Sequence, residues 1–350
     1  MSLTETPKLN TARKEFYDKI DGQSLAPLWA VMSALVTPEP RSRCQAHMWR
    51  FADLRDFLIE SGDLITAKEA ERRVLILENP GMRGNSSVTT SLYAGLQLVT
   101  PGECAPAHRH SQSALRLVLE TSAGAHTTVN GERTPMHFGD FIITPPWGWH
   151  DHGNDGDAPA IWLDGLDVPI VSLFDTSFAE EYGEDQQPLT RKSGDSLARY
   201  ANNLLPVGYE SGGKASPIFN YPYQKARESL DALLAQGEID PWHGIKMQYI
   251  NPIDGGSAMP TMSTFIQMLP KGLQTQPYQS TDATVFVALE GSGVTRIDGQ
   301  DFAWGPRDIV VVPSWKPVQH RADDDAVLFS FSDRVAQEKL GLFREKRGNI

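Results

Sequence analysis

The stretch Gly102-Glu-Cys-Ala-Pro-Ala-His108-Arg-His110 places two histidines two positions apart, and the stretch Gly139-Asp-Phe-Ile-Ile-Thr-Pro-Pro-Trp-Gly-Trp-His150 ends on a third. Successive side chains of a β-strand point to opposite faces, so His108 and His110 present both imidazoles to the same face. An imidazole from another strand can complete a three-nitrogen metal site that keeps open coordination positions. His108, His110 and His150 are therefore the predicted metal ligands.

The composition limits the range of partners. The 350 residues are enough for one large domain or two modest ones, each with its own core. A net charge of −12 argues against nucleic acid or an anionic membrane as a partner, because both call for a basic surface. The two cysteines, Cys44 and Cys104, lack metal-binding spacing, and neither a signal peptide nor an apolar run of about 20 residues is recognisable. We therefore expect a soluble, cytoplasmic protein that binds neither nucleic acid nor membrane.

The spacing of apolar residues changes along the chain. Helical spacing dominates the first part, with helices expected over residues 11–20 and 51–70, and a period of two begins near residue 89. A stretch with glycine-rich turns and one expected helix over residues 225–234 separates two such β regions. The sequence predicts a helical N-terminal region (1–80), a metal-binding β domain (81–175), a linker with helical segments (176–258), a second β domain (259–335) and a C-terminal tail (336–350).

The two β regions are copies of one unit. Asp140-Phe-Ile-Ile-Thr-Pro145 parallels Asp308-Ile-Val-Val-Val-Pro313, and a second pair of segments matches in the same way. When the second copy is aligned with the first, the positions of the three histidines are taken by other residues, namely Tyr278, Ser280 and Val318. A repeated unit predicts a repeated structure, here with one metal site per chain.

The spacings Gly-x5-His-x-His and Gly-x10-His-x3-Asn resemble the two motifs of the cupin superfamily, and the doubled unit resembles a bicupin. More specific segments are similar to the gentisate 1,2-dioxygenase family over most of the chain, namely Pro106-Ala-His-Arg-His-x-Gln-Ser-Ala-Leu-Arg116, Trp162-Leu-Asp-Gly-Leu-Asp167 and Tyr249-Ile-Asn-Pro. The resemblance implies a mainly β fold, in which two double-stranded β-helix barrels follow an α-helical N-terminal region. It also implies an Fe(II) cofactor and a homotetramer whose N-terminal region reaches a neighbour.

One departure from the general cupin pattern bears on the chemistry. Many cupins carry a glutamate ligand four or five residues after the second histidine, where this chain has Ala114 and Leu115. Three neutral imidazoles leave the charge of the metal uncompensated, and a substrate with a carboxylate beside a hydroxyl can chelate it and supply negative charge. The resemblance implies that this aromatic hydroxy acid is gentisate and that O2 opens its ring to give maleylpyruvate.

Arg116 is the predicted partner of the substrate carboxylate, because it has the strand parity of the ligand histidines and a guanidinium offers two parallel donors. A cross-strand salt bridge is the alternative. The family pattern adds further residues of the site: Arg72 as a second anion clamp, Gln97 and His152 as contacts to substrate or oxygen, and Asp164 as a group behind the ligands. Gln97 and Asp164 could equally satisfy buried backbone groups.

Two positions on the same strand face as Gln97 concern the shape of the pocket. Tyr93 stands where relatives can carry tryptophan, and Gly95 is expected to leave space beside the ring. Salicylate and 1-hydroxy-2-naphthoate are therefore alternative substrates, and a non-catalytic metabolite-binding cupin is the alternative of another class. The histidines without a metal-like spacing are assigned to structure or surface, namely His47, His126, His137, His243 and His320.

Overall fold

The computed structural model describes residues 7–121, 123–210 and 212–348. The chain forms two compact units, one up to Arg41 and the other from Ser42 onward. The first unit contains α1 (Pro7–Asp21) and α2 (Leu28–Leu35). The residues of α2 are almost all apolar, yet none is buried, and Trp29 is 68% exposed. None of the helices in the described residues has the length and apolarity needed to cross a lipid bilayer.

The second unit opens with short elements, which are β1 (His47–Trp49), α3 (Phe51–Leu64), α4 (Ala67–Ala70), β2 (Val74–Ile76) and a 3-10 turn (Pro80–Met82). The single helix expected over residues 51–70 is therefore two helices. The break follows from Thr66, whose Oγ1 accepts a hydrogen bond from the Glu69 backbone N–H at 3.2 Å and so caps a new helix.

The first barrel is built from eight consecutive strands: β3 (Tyr93–Val99), β4 (Cys104–His110), β5 (Ala114–Glu120), β6 (Ala125–Val129), β7 (Glu132–Pro135), β8 (Phe141–Thr144), β9 (His150–Asn154) and β10 (Ala160–Leu166). The segment that follows contains α5 (Val168–Leu173), β11 (Ala179–Glu181), α6 (Asp195–Tyr200), β12 (Asn220–Tyr221) and α7 (Tyr223–Gln236). One sheet has the order β12-β8-β5-β10-β3-β2 and the other the order β11-β4-β9-β6-β7.

The second barrel repeats this arrangement with β13 (Ile245–Gln248), β14 (Ser263–Leu269), β15 (Tyr278–Ser280), β16 (Thr284–Glu290), β17 (Gly293–Ile297), β18 (Gln300–Trp304), β19 (Ile309–Val312), β20 (Val318–Ala322), β21 (Ala326–Ser332), α8 (Arg334–Lys339) and β22 (Glu345–Arg347). Its sheets have the orders β1-β19-β16-β21-β14-β13 and β18-β17-β20-β15-β22. All strand pairs of the two barrels are antiparallel, so the predicted mainly β, doubled architecture is confirmed.

The two barrels have equivalent strand registers. His108 of β4 lies opposite His150 of β9, and Tyr278 of β15 lies opposite Val318 of β20. The edge strands extend the repeat beyond the predicted segments, because β11 covers β4 just as β22 covers β15. Strands β1 and β2 of the expected helical region also join the barrels, β1 the second and β2 the first. Strands of three residues are too short to show a period of two in the sequence.

The six-stranded sheets of the barrels face each other across one apolar core. Leu115 of the first barrel and Phe329 and Phe331 of the second are fully buried in the same cluster. Gly165 lies at the closest approach, where a Cβ atom would stand 2.9 Å from both the Leu115 side chain and the Phe331 ring. Each side chain of this size contributes about 1.5–3 kcal/mol by its burial, so the contact holds the barrels rigidly back to back. A smaller apolar cluster that includes Val118, Ile142 and Trp162 fills part of the first barrel, and the rest of its interior holds polar side chains.

Candidate metal centre and substrate pocket

The three predicted ligands meet inside the first barrel. His108 and His110 lie on one face of β4, and His150 begins the neighbouring strand. One ring nitrogen of each lies within 4.8 Å of the others. The ring centroids are 4.0 Å apart for His108 and His150 and 4.9 Å apart for His110 and His150. No other group of His, Cys, Asp or Glu side chains converges in this way in the described part of the chain.

The orientation of each ring is fixed by the backbone. The Nδ1 atoms face carbonyl oxygens, at 3.2 Å for His108 to Pro106, 3.0 Å for His110 to Gln112 and 2.9 Å for His150 to Gly148. A carbonyl can only accept, so the Nδ1 atoms of His110 and His150 carry the proton and their Nε2 atoms keep a lone pair for a metal. The buried Nε2 atom of His150 has no partner among the described residues.

The electrostatics keep these rings neutral. Burial, reinforced by the positive charge of Arg72, lowers the pKa of His108 to about 2. Burial and the charge of Arg116 lower the pKa of His110 to about 4, and burial lowers the pKa of His150 well below its ordinary value. A neutral imidazole is the form that binds a metal. A divalent transition-metal ion fits these three neutral nitrogen ligands, and it would also satisfy the unpartnered Nε2 of His150.

Arg116 and Asp164 form a buried pair on adjacent strands, with 3.5 Å between Nε and Oδ1. Asp164 also accepts a hydrogen bond from the Trp162 indole at 3.0 Å, and Arg116 donates one to the Thr144 hydroxyl at 2.5 Å. Burial lowers the pKa of Arg116 to about 10 and raises that of Asp164 to about 6, against the opposing attraction within the pair. The cross-strand ion pair considered as the alternative is thus present, yet the Arg116 Nε still has no hydrogen-bond partner.

Arg72 reaches the site from the segment between α4 and β2. One of its terminal nitrogens donates to the Pro106 carbonyl at 3.0 Å and lies against the Nδ1 edge of His108. Its Nε atom is buried without a partner. Two arginines therefore border the three histidines. The Nε of each makes no hydrogen bond with the described residues, although that of Arg116 lies within the ion pair with Asp164.

Gln97 and His152 complete the polar lining. Gln97 is 2% exposed, and its amide nitrogen has no partner. His152 lies 2.9 Å from the Thr127 hydroxyl through Nδ1, and its buried Nε2 atom is likewise unpartnered. Buried polar atoms of this kind are costly unless a ligand or water satisfies them. Together with the two arginines they form an interior suited to an anion.

The wall at Gly95 is tighter than the sequence suggested. A Cβ atom there would stand 2.5 Å from Val74 and 2.9 Å from the Tyr93 hydroxyl, so the expected space beside this glycine is already occupied. The reason is strand β2, which lies next to β3 and places Val74 on the same face. The sequence offered no sign of β2 as a wall of the pocket.

A cluster on the outside of β4 was not predicted at all. The guanidinium of Arg109 lies 4.5 Å from the ring centroids of both Trp147 and Trp149 and donates to the Glu180 carboxylate at 2.5 Å and 2.8 Å. We call these four residues the Arg109 clamp. Arg109 lies between the two ligand histidines but on the opposite face, so the clamp ties the ligand strand to the loop before His150 and to strand β11. The Trp-Gly-Trp spacing was a signal that could have revealed it.

Comparison with known proteins agrees with this geometry. A family model described as Cupin domain matches residues 95–167. The chain is 62% identical over 347 residues to gentisate 1,2 dioxygenase 1 of Aquipseudomonas alcaligenes, covering 99% of this chain and 100% of the relative. It belongs to the gentisate 1,2-dioxygenase family. The 5-aminosalicylate 1,2-dioxygenase of a Comamonas species is 35% identical, with 92% of this chain and 87% of the relative covered.

A solved structure extends the likeness within this dioxygenase family. The salicylate 1,2-dioxygenase of Pseudoaminobacter salicylatoxidans in its adduct with gentisate matches with a TM-score of 0.91 and 33% identity, covering 100% of this chain and 96% of that one. The protein is therefore a dioxygenase-family enzyme with the cupin fold, and the predictions of family and fold are confirmed.

Proposed function

We propose that this enzyme is an Fe(II)-dependent ring-cleaving dioxygenase that converts gentisate and O2 to maleylpyruvate. The observation that carries the proposal is the juxtaposition of three neutral imidazoles with unpartnered buried donors on Arg72, Gln97 and Arg116. Neutral ligands leave the metal in need of negative charge, and the free donors need an anion. A substrate carboxylate meets both needs.

Fe(II) held by His108, His110 and His150 would supply the redox chemistry that allows O2 to react with an aromatic ring. The chain itself binds and orients the substrate. Arg116 offers its guanidinium to the substrate carboxylate, and Asp164 keeps the guanidinium in place through the ion pair with Nε.

Arg72 and Gln97 add donors around the same anion. The unpartnered Nε2 of His152, whose ring is held by Thr127, is the group that we assign to a contact with substrate or oxygen. The burial of these side chains strengthens each of these contacts.

Gentisate is preferred to salicylate in this proposal because of its second ring hydroxyl. Tyr93 brings a phenol group to the pocket wall beside Gly95, and this hydroxyl can donate to or accept from a ring hydroxyl. The relative from Aquipseudomonas alcaligenes, which is 62% identical to this chain, is named for gentisate. Salicylate is the second candidate, supported by the matching salicylate 1,2-dioxygenase fold.

The test is oxygen consumption by protein loaded anaerobically with Fe(II), with gentisate, salicylate and 1-hydroxy-2-naphthoate as substrates. We expect uptake with gentisate and a product whose absorbance and mass are those of the ring-opened acid. His150→Ala serves as the control that should abolish uptake. Substrate binding without oxygen uptake by any of the three acids would instead support a non-catalytic binding protein.

We further propose that the protein is a homotetramer. Helix α2 supports this, because a helix whose apolar residues, including Trp29 and Leu35, are exposed is a surface for another chain. Light scattering after size-exclusion chromatography measures the mass directly. Trp29→Glu together with Leu35→Glu should lower it, whereas a monomeric mass for the unaltered protein contradicts the proposal.

A further inference from the structure

The second barrel encloses a cavity where the first holds its metal ligands. The cavity measures about 30 Å³ and is lined by Lys246, Gln267, Tyr278, Asp282, Trp242 and His320 among others. Because this is the space open to the centres of water-sized groups, the void itself has room for a ligand of a few non-hydrogen atoms. Tyr278 stands at the register position of His108, so the cavity occupies the equivalent place in the repeat.

The cavity cannot hold the substrate that we assign to the first barrel. In the second barrel, Phe265 and Phe286 both lie opposite Ser330. At the equivalent positions of the first barrel, Gly95 and Arg116 both lie opposite Asp164. Two phenyl rings therefore fill the space in which the first barrel keeps a glycine and the anion-binding arginine. An aromatic acid is too large for what remains, so any ligand here has a different chemistry.

The second barrel has gained an interior cation. Lys246 of β13 lies opposite Gln267 of β14. The equivalent position in the first barrel is that of Val74, which lies opposite Gln97. Its ammonium lies 4.6 Å from the ring centroid of Phe265, and burial lowers its pKa to about 8. No hydrogen bond of the described residues reaches this ammonium. A charged donor thus faces the cavity without a hydrogen-bond acceptor among the described residues, with the Asp282 carboxylate as a nearby opposite charge.

Three further polar atoms of the lining are buried without a partner among the described residues. They are the Oε1 of Gln267, which is 1% exposed, the Oδ1 of Asp282, which is 7% exposed, and the indole Nε1 of Trp242. The lining therefore offers two donors, Lys246 and Trp242, and two acceptors. Buried groups of this kind are ordinarily satisfied by a ligand or by ordered water.

We propose that the second barrel binds a small hydroxycarboxylate. Its carboxylate accepts from Lys246 and Trp242, and its hydroxyl donates to Asp282 or Gln267. A halide or nitrate ion lacks the O–H donor that Asp282 or Gln267 requires, and a neutral polyol lacks the charge that the ammonium requires. The size of the cavity restricts the ligand to a few non-hydrogen atoms, as in glycolate, with the two phenyl rings excluding anything larger.

The test is calorimetric titration of the full chain with glycolate. Because glycolate can also chelate a metal, the titration uses His150→Ala, which removes a ligand of the first barrel and leaves the second unchanged. We expect a dissociation constant of about 1 mM or tighter, a range consistent with so small a ligand. Adding Lys246→Met to this background should weaken binding by at least about tenfold, the loss expected when a charged donor is removed.

The matched probes are acetate, which lacks the hydroxyl, and ethylene glycol, which lacks the carboxylate. Both should bind at least about tenfold more weakly than glycolate. Equal binding of acetate, equal binding to the Lys246→Met protein, or no heat with glycolate overturns the proposal, and the last result leaves ordered water as the occupant.

If Lys246→Met does not fold, Asp282→Asn in the same background provides the comparison, since it alters only the acceptor. In the protein with an intact first barrel, Lys246→Met should leave oxygen uptake with gentisate unchanged, so failure here is distinguishable from failure of the proposed function.

Discussion

The two barrels of this protein share a scaffold and differ in what they enclose. The loop before strand β9 and its equivalent before β20 make the same contact, with the Trp147 N–H donating to the His110 carbonyl at 2.8 Å and the Trp315 N–H to the Ser280 carbonyl at 2.7 Å. The histidine that follows also persists, because His320 lies 2.9 Å from Thr295 just as His152 lies 2.9 Å from Thr127. The residues that build the barrel are therefore separable from those that carry its chemistry.

The differences concern both the inside and the outside of the ligand strand. Inside, the three histidines and the Arg116–Asp164 pair have no counterparts in the second barrel. Outside, Arg109 pairs with Glu180, whereas the equivalent pair in the second barrel is Gln279 and Lys346. A cation over the equivalent tryptophan persists in the second barrel, where the Lys346 ammonium lies 5.1 Å from the Trp315 ring centroid. The feature that accompanies the metal ligands is therefore the ion pair of Arg109 with Glu180.

The largest effect should come from removing a ligand histidine. His150→Ala deletes one of three nitrogen donors, and we expect iron to fall from about one per chain to near zero, with loss of oxygen uptake. The matched change in the second barrel is Val318→Ala, which should leave the iron content intact. Elemental analysis of anaerobically loaded protein measures both. A comparable loss of iron from the Val318→Ala protein would contradict a single site in the first barrel.

Arg116 should have the next largest effect. Arg116→Ala leaves a desolvated substrate carboxylate without its partner, which costs about 2–5 kcal/mol of binding free energy. Anaerobic titration of the loaded protein with gentisate gives the dissociation constant, and Phe286→Leu, at the equivalent position of the second barrel, is the control. Unchanged affinity in Arg116→Ala would assign this arginine to the ion pair with Asp164 alone.

Asp164 predicts a dependence of stability on pH. Burial raises its pKa from 3.8 to about 6, so the folded state favours the protonated form. The stabilisation is complete below pH 3.8 and is lost as the pH rises through about 6, by up to about 3 kcal/mol. The difference in unfolding free energy between the unaltered protein and Asp164→Asn should therefore fall between pH 4 and pH 7. Ser330→Ala, the equivalent change in the second barrel, should give a difference that does not vary with pH.

The comparison also explains what the sequence could and could not predict. Histidine spacing and the alternation of long strands depend on local geometry, and they led directly to the two β regions and to His108, His110 and His150. The barrel form was predicted only through the family resemblance. Arg72 lies outside the strand pattern and entered only through the family resemblance. Glu180 of the clamp lies in the segment expected to be a linker, since β11 has only three residues and acquires its partner strand through tertiary contact. Pairings of this kind have no local signal.

The Arg109 clamp gives the smallest effect and the sharpest comparison. Arg109→Met removes the cation between Trp147 and Trp149 but touches no group inside the barrel. Because the clamp fixes the strand that carries two ligands, we expect metal affinity to fall by about tenfold while the thermal midpoint changes little. Competition with a metal chelator measures the affinity, and tryptophan fluorescence reports the loss of the stack.

Arg109→Lys should restore part of the affinity because it keeps the charge. Gln279→Met, at the equivalent position of the second barrel, should leave metal affinity unchanged, and an equal loss from both variants would mean that the clamp stabilises the barrel in general.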